Sequence, residues 1–578
     1  MWKYIKHYIG FMIAAAACMV VEVMVDLFQP SIMSDIVDNG VLGINNGGVG
    51  NMDIVLRNGL LMLGLIVLGF LGGSFCSIFA SIGGDNISNL MRKDAFKKIL
   101  SLSFPQVDVF GTGSLITRVT NDMTQVREMI VVLVRGLIRT AFFFCGSIYF
   151  MFRLYPRFGL IAMCALPFIA GVMVLCLVKA TPGFARMQEQ LDRVNAIMQE
   201  DVSGIRIIKA CVKEAYEKIR FGKANDELIG TQLHVLVIFA FMTPAMNMLM
   251  YLVVILVILV GSFQTAAGSA HPGAIMGAIA YTTQLLQSIL SLAMLFQNIS
   301  RGSASWKRIK QVLHSEPELK DGEYDGVNEV KGKVEFRDVT FTYPGSANPV
   351  LKGVNLTINP GEKFAIMGAT GCGKSTLVNL IPRFYDVTGG QILVDGVDVR
   401  EYKQETLRDK VASALQKAEL FGISVSDNIR WGKQNATQEE IVEAAKTAQA
   451  DEFIREMPEQ YDSIVAERGM SLSGGQRQRM SIARTVLKDA EIYIFDDSTS
   501  ALDLKTEAAF YRALEGSHPD STKIIVAQRI ASVMNADRIA IIEDGKIYAC
   551  ASHEELLETC EIYQNIYNSQ MGGGRANG

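Results

Sequence analysis

Apolar residues in the first part of the chain run on for membrane lengths instead of recurring along one buried helix face. Six such stretches stand at about 9–32, 56–84, 128–153, 157–179, 233–262 and 273–299. At 1.5 Å rise per residue each is long enough to cross a hydrocarbon layer of about 30 Å. From Lys331 onward short β-rich runs alternate with amphipathic helical segments, the pattern of an α/β domain. The pattern therefore predicts a multidomain chain: an all-α, six-helix transmembrane domain over 1–320, a linker over 321–330, an α/β domain over 331–570 and a flexible tail over 571–578.

Charge orients the spans. Arg92, Lys93, Lys97 and Lys98 follow the second span, Lys179 and Arg186 the fourth, and Arg301, Lys307 and Arg308 the sixth. By the positive-inside rule these segments are cytoplasmic, so both termini are expected inside a multi-pass plasma-membrane protein. The loops at 31–53 and 264–272 hold no Lys or Arg and fit the outside, whereas Arg153 and Arg157 break the rule locally. The first apolar run, behind Lys3, Lys6 and His7, is too long for a signal segment and reads as a retained span. Helical patterning continues past the second and fourth spans to about 102 and 207, so helices are expected to project beyond the bilayer. A net charge of -4 gives no electrostatic case for nucleic-acid binding, and nine scattered cysteines without a CxxC pair argue against a disulfide framework or zinc site.

The strongest chemical signal is GATGCGKS, from Gly368 to Ser375, directly after the apolar run 363–367. Its glycines let backbone N–H groups curl around phosphates at a helix N-terminus. Thr370, Gly371, Cys372, Gly373 and the following Thr376 belong to the same cradle, Lys374 reaches the β/γ-phosphates, and Ser375 ligates Mg²⁺. A second apolar run, IYIF, ends at Asp496 and supplies a carboxylate to hold Mg²⁺ from the opposite side. ATP and Mg²⁺ are the implied cofactors.

Between these elements, LSGGQRQR opens a helix at 472–479, and it resembles the signature of the ABC superfamily. Around it, Tyr343 resembles the aromatic residue that stacks on adenine. Gln416 resembles the Q-loop glutamine, a further Mg²⁺ contact, and SALD at 500–503 resembles the D-loop. The resemblance spans essentially the whole chain, from QPSIMSDIVDNG to HEELLE, and is closest to heterodimeric multidrug exporters of the B-family, or type IV, architecture. It implies an ATP-driven exporter moving amphipathic or hydrophobic compounds, with ATP sandwiched between one chain's phosphate loop and another's Ser473, Gly474, Gly475 and Gln476. A dimer follows. The resemblance also implies that segments 113–122 and 211–221 dock on the ATPase domains, touched in addition by VAERG at 465–469.

Two positions depart from the family pattern. Asp497 stands where the family has the glutamate that polarises the attacking water, and Gln528 stands where it has the switch histidine. Both changes weaken hydrolysis, so the resemblance implies an obligate heterodimer whose partner carries Glu and His, with Asp497 and Gln528 as impaired catalytic positions. A regulatory ATP-binding subunit of a gated channel, or a homodimeric lipid or peptide exporter, is the competing reading.

Within the membrane part, Glu22 and Asp26 lie one turn apart in the first span, and Arg135 and Arg139 share that spacing in the third. Charges at membrane depth are costly and mark pairing or function. Gln284, Gln287, Ser291 and Asn298 form a polar stripe on the sixth span, expected to face a cavity or a neighbouring helix. The 27 methionines suit a promiscuous pocket or plain packing, and His553 lacks a second histidine at ligand spacing.

Overall fold

In the computed structural model, residues 1–44, 48–328 and 330–571 are described; the tail from 572 onward lies outside them. Among the described residues, six helices are long and apolar enough to span a membrane: Trp2–Val41, Met52–Leu100, Thr112–Leu154, Pro156–Ser203, Glu214–Ala266 and Pro272–His314. Each contains one predicted span. The helices outrun the spans because the polar flanks are themselves good helix formers. The 49 residues of Met52–Leu100 extend about 70 Å, far beyond a bilayer.

The chain divides into two compact units, 1–100 with 113–314 and 101–112 with 315–578. In the helical unit, the first and second spans pack through glycine. A Cβ at Gly72 would come within 3.2 Å of the Cys18 carbonyl oxygen, so a small residue lets the backbones approach. The first span ends in a wider, π-type turn, Ile36–Val41. There buried Asp38 accepts a 2.6 Å hydrogen bond from Gly273 N–H, tying it to the start of the sixth span. On the projecting segments Arg308 grips Asp122 through two guanidinium nitrogens.

Both segments expected to dock, 113–122 and 211–221, fall within the helical unit, and the residues that pack with the ATPase unit come earlier, at 101–112. The short helix Phe104–Phe110 starts there because Ser103 and Gln106 form a reciprocal capping box with Pro105 in the first turn. The region 211–221 is a three-residue connection between Ile205–Ala210 and Glu214–Ala266 followed by two turns of the latter.

In the second unit, an antiparallel sheet runs β2 (Leu351–Ile358), β1 (Val334–Phe341), β4 (Gly389–Val394), β5 (Val397–Asp398). A second sheet runs β10 (Lys546–Ala551), β9 (Arg538–Glu543), β3 (Lys363–Gly368), β8 (Thr522–Val526), β7 (Ile492–Asp496), β6 (Val411–Ala414). From β9 to β6 its pairing is parallel. β7 and β8 are buried at every position, as expected for parallel strands covered on both faces. Residues taken as a linker lie against this unit: Tyr324 packs edge-on to Tyr402 at 5.0 Å, and Asn328 donates to the Tyr402 hydroxyl.

Candidate functional sites

Four neighbouring parallel strands deliver the nucleotide residues to one edge of the sheet. β3 leads into the phosphate loop, β8 is followed by Gln528, β7 ends in Asp496 and Asp497, and β6 is followed by Gln416. The carboxyl ends of parallel strands are where open α/β sheets hold ligands. Two loop glycines are sterically required. Gly368 has φ +151° and a Cβ there would meet the Ile542 carbonyl at 2.3 Å; Gly373, at φ +105°, would meet Leu351 at 2.9 Å.

Lys374 is buried and donates to the carbonyls of Gly368 and Ala369 at 2.9 and 2.8 Å. Its ammonium therefore sits at the centre of the loop, held by neutral acceptors that an anion would outcompete. Ser375 Oγ donates to Asp496 Oδ1 at 2.9 Å. Asp496 is buried at 3% exposure. Burial pushes its carboxyl up and neighbouring Asp497 adds to the effect, while the Ser375 hydroxyl and Lys374 oppose it. A buried carboxylate beside a hydroxyl is a hard-oxygen set suited to Mg²⁺, whose charge would offset the burial cost.

A cavity of about 310 Å³ gathers Tyr343, Thr370, Gly371, Gly373, Lys374, Ser375, Thr376, Gln416, Asp496, Asp497 and Gln528. Cys372 lies beneath it, 3.9 Å from Lys374 Nζ. Asp497 adopts a left-handed backbone, φ +48°. Its Oδ2 accepts from both Gln416 Nε2 at 3.4 Å and Gln528 Nε2 at 3.3 Å.

Ser473, Gly474, Gly475 and Gln476 do not line that cavity. They open the helix Gly474–Val486, where Ser473 Oγ accepts from Gln476 N–H and Gln476 Oε1 accepts from Ser473 N–H. The sequence gives no hint of what anchors this helix. Gln478 donates to Ser500 Oγ and accepts from Ala501 N–H, and Arg529 donates to the carbonyls of Ser500 and Leu502.

Two family descriptions match the chain: "ABC transporter transmembrane region" over residues 12–289 and "ABC transporter" over 351–500. The chain is 36% identical to the uncharacterized ABC transporter ATP-binding protein YfiB of Bacillus subtilis (strain 168), over 96% of both chains. The chain belongs to the ABC transporter family. It is also 34% identical to an ATP-dependent lipid A-core flippase of Syntrophus aciditrophicus (strain SB), covering 88% of this chain and 85% of that one. Among solved structures it resembles a bacterial Atm1-family ABC exporter with ATP bound, at a TM-score of 0.79, 22% identity and 99% coverage of both chains. The transporter thus joins a membrane half to an ATP-binding half, the family basis for ATPase-coupled transport.

In the membrane half of the transporter, Gln284, Gln287, Ser291 and Asn298 all border one cavity of about 750 Å³, which Asp26 and Arg139 also line. Gln284 is also a tie between helices, accepting from Ser147 Oγ at 3.5 Å and donating to the Asp26 carbonyl at 3.1 Å. Arg139 pairs with Glu22 at 3.5 Å, while Arg135 borders an adjoining cavity with Glu22 and Asp26. His553 accepts or donates a 2.6 Å hydrogen bond with Tyr563.

Proposed function

We propose that this transporter is one subunit of a heterodimeric ATP-driven exporter, in which its own site binds ATP and hydrolyses it slowly. The observation that carries the reading is the grip of two neutral amides on the Asp497 carboxylate. The family's glutamate would reach about 1.5 Å further, and a misplacement near 1 Å costs on the order of 10²-fold where positioning carries the catalysis. Gln528 adds an amide that cannot donate as imidazolium. ATP would bind through Lys374 and the loop amides, with Tyr343 beneath adenine; Ser375 and Asp496, with Gln416 near, would hold Mg²⁺, which would supply charge neutralisation at the transferred phosphoryl group. Because Ser473, Gly474, Gly475 and Gln476 stand outside the phosphate cavity, they are free to complete the partner's site, and the partner's signature completes this one. The partner would carry Glu and His where this chain has Asp497 and Gln528.

The cargo would be hydrophobic or amphipathic, exposed to Gln284 and Gln287 in a cavity that opens alternately to each side of the plasma membrane, with both termini cytoplasmic. A homodimeric lipid exporter is the second reading, favoured by the likeness to the lipid A-core flippase. Replacing the partner's Glu by Gln separates them: in the heterodimer, turnover is lost, while Asp497→Asn in this chain leaves most of it. Equal loss from both substitutions would rule the heterodimer out.

A further inference from the structure

The short helix Phe104–Phe110 belongs to the ATPase unit, although the chain enters it straight from the second membrane span. It lies against residues just beyond the phosphate-loop helix. The Phe104 ring sits 4.7 Å from Phe384 and 6.4 Å from Tyr385. Tyr385 donates its hydroxyl to Asp108 Oδ2 at 2.8 Å. On its other side its ring meets Tyr343 edge-on, at 5.4 Å and 84° between planes. Tyr343 in turn shares a 3.1 Å hydrogen bond with the hydroxyl of Thr376, next to Ser375. Burial and the Asp108 carboxylate both push the Tyr385 phenol up, so it remains protonated and a donor at physiological pH.

We propose that Asp108, Tyr385 and Tyr343 form a relay through which the helix Phe104–Phe110 positions the adenine platform, making purine occupancy and the seating of that helix interdependent. This rests on the reading of Tyr343 as the platform. Tyr343 borders the nucleotide cavity, and its edge contacts with Phe341 and Tyr385 set the plane it offers to a base. The Tyr385 ring that shares in setting this plane rests edge-on against buried Phe341 at 5.6 Å on the strand side, and is fixed on the other by a charge-assisted hydrogen bond and by Phe104, both supplied from the short helix. A shift of that helix removes both anchors at once. Linkage requires the reverse effect too: a stacked purine must favour the seated helix by the same factor. Tyr385 is thus a positioning residue, acting on nucleotide through Tyr343.

Hydrogen exchange on the full-length protein in lipid nanodiscs tests this at two places at once. Protection of the phosphate-loop peptide, titrated with ATP or with inorganic tripolyphosphate, gives each ligand's midpoint; protection of 104–110 reads the coupling. ATP should protect both peptides, and tripolyphosphate, having no base, only the loop. Tyr385→Phe and Asp108→Ala should each raise the ATP midpoint by about tenfold, the scale of one charged hydrogen bond, and leave the tripolyphosphate midpoint unchanged. The double variant should match the singles, and Asp108→Asn, which keeps an acceptor but not its charge, should fall between wild type and Asp108→Ala. If both ligands' midpoints move together, or tripolyphosphate protects 104–110 as well as ATP does, the relay is overturned. Tyr343→Ala tells the two readings apart: if ATP keeps its advantage over tripolyphosphate there, the platform reading itself fails. If Tyr343→Ala removes that advantage and Tyr385→Phe does not, only the relay fails.

Discussion

The two sides of the nucleotide cavity rise from the same sheet edge and differ in what they are equipped to do. On the phosphate side, β3 ends in a loop where Gly368 and Gly373 have no room for a Cβ, and Lys374 and Ser375 already face their acceptors. On the water side, β7 and β8 end in Asp497 and Gln528, a short carboxylate held by amides. Binding and hydrolysis are therefore separable properties of one site. Loss of the second would leave the first intact, because the phosphate loop draws on its own backbone and on Asp496 and, among the described residues, makes no hydrogen bond to Asp497.

The largest expected effect falls on the phosphate side. Lys374→Ala removes the one ammonium in the loop, and photo-crosslinking of labelled ATP to this chain should fall at least about 10²-fold in apparent affinity, the cost of several kcal/mol of lost charge-assisted bonding. Unchanged labelling would break the comparison at its better-built side. Asp496→Asn comes next: it keeps the Ser375 contact but removes the buried charge, so Mg²⁺-dependent ATP binding should weaken about tenfold while Mg²⁺-free binding stays near wild type. Asp497→Asn is expected to have the smallest effect on the assembled transporter, less than about twofold in total ATP turnover. A loss as large as that from Lys374→Ala would show that the water side still works.

The membrane cavity extends the comparison to a second site, through thiol accessibility. Cysteines at Gln287 and Ser291, which are exposed to the cavity, should react with a water-soluble reagent much faster than cysteines at Leu285 and Ile289, which are 3% and 8% exposed. Gln284, tied on both sides of its amide, should react at an intermediate rate. Equal rates along the helix would reduce the stripe to packing.

Much of this was legible in the sequence because the signals are local. A run of apolar residues such as 233–262 needs only length to declare a span, and the phosphate loop carries its geometry in its own glycines. The carboxylate at the end of IYIF was readable for the same reason. Where partners come from distant parts of the chain, the sequence was silent or misleading. Asp108 and Tyr385 are 277 residues apart, and the sequence reading, which gave docking to 113–122 and 211–221, did not single out 101–112, the stretch that belongs to the ATPase unit. The missed cue was local after all: Ser103, Pro105 and Gln106 spell the start of a short, separate helix. The pairing of Glu22 with Arg139 follows from equal spacing on two spans, but only packing of the first and third spans decides which acid takes which base.

On the reading proposed above, this chain's site would bind ATP without turning it over at a useful rate. This is tested most directly by ATP binding and hydrolysis measured on the assembled heterodimer in lipid nanodiscs with the partner's catalytic Glu replaced by Gln, so that only this chain's site turns over, beside the same assembly carrying Asp497→Glu and Gln528→His in this chain. The account predicts comparable ATP binding by both assemblies and hydrolysis on the order of 10²-fold faster in the double variant. Full hydrolysis by the unaltered chain, equal to that of the double variant, would contradict it.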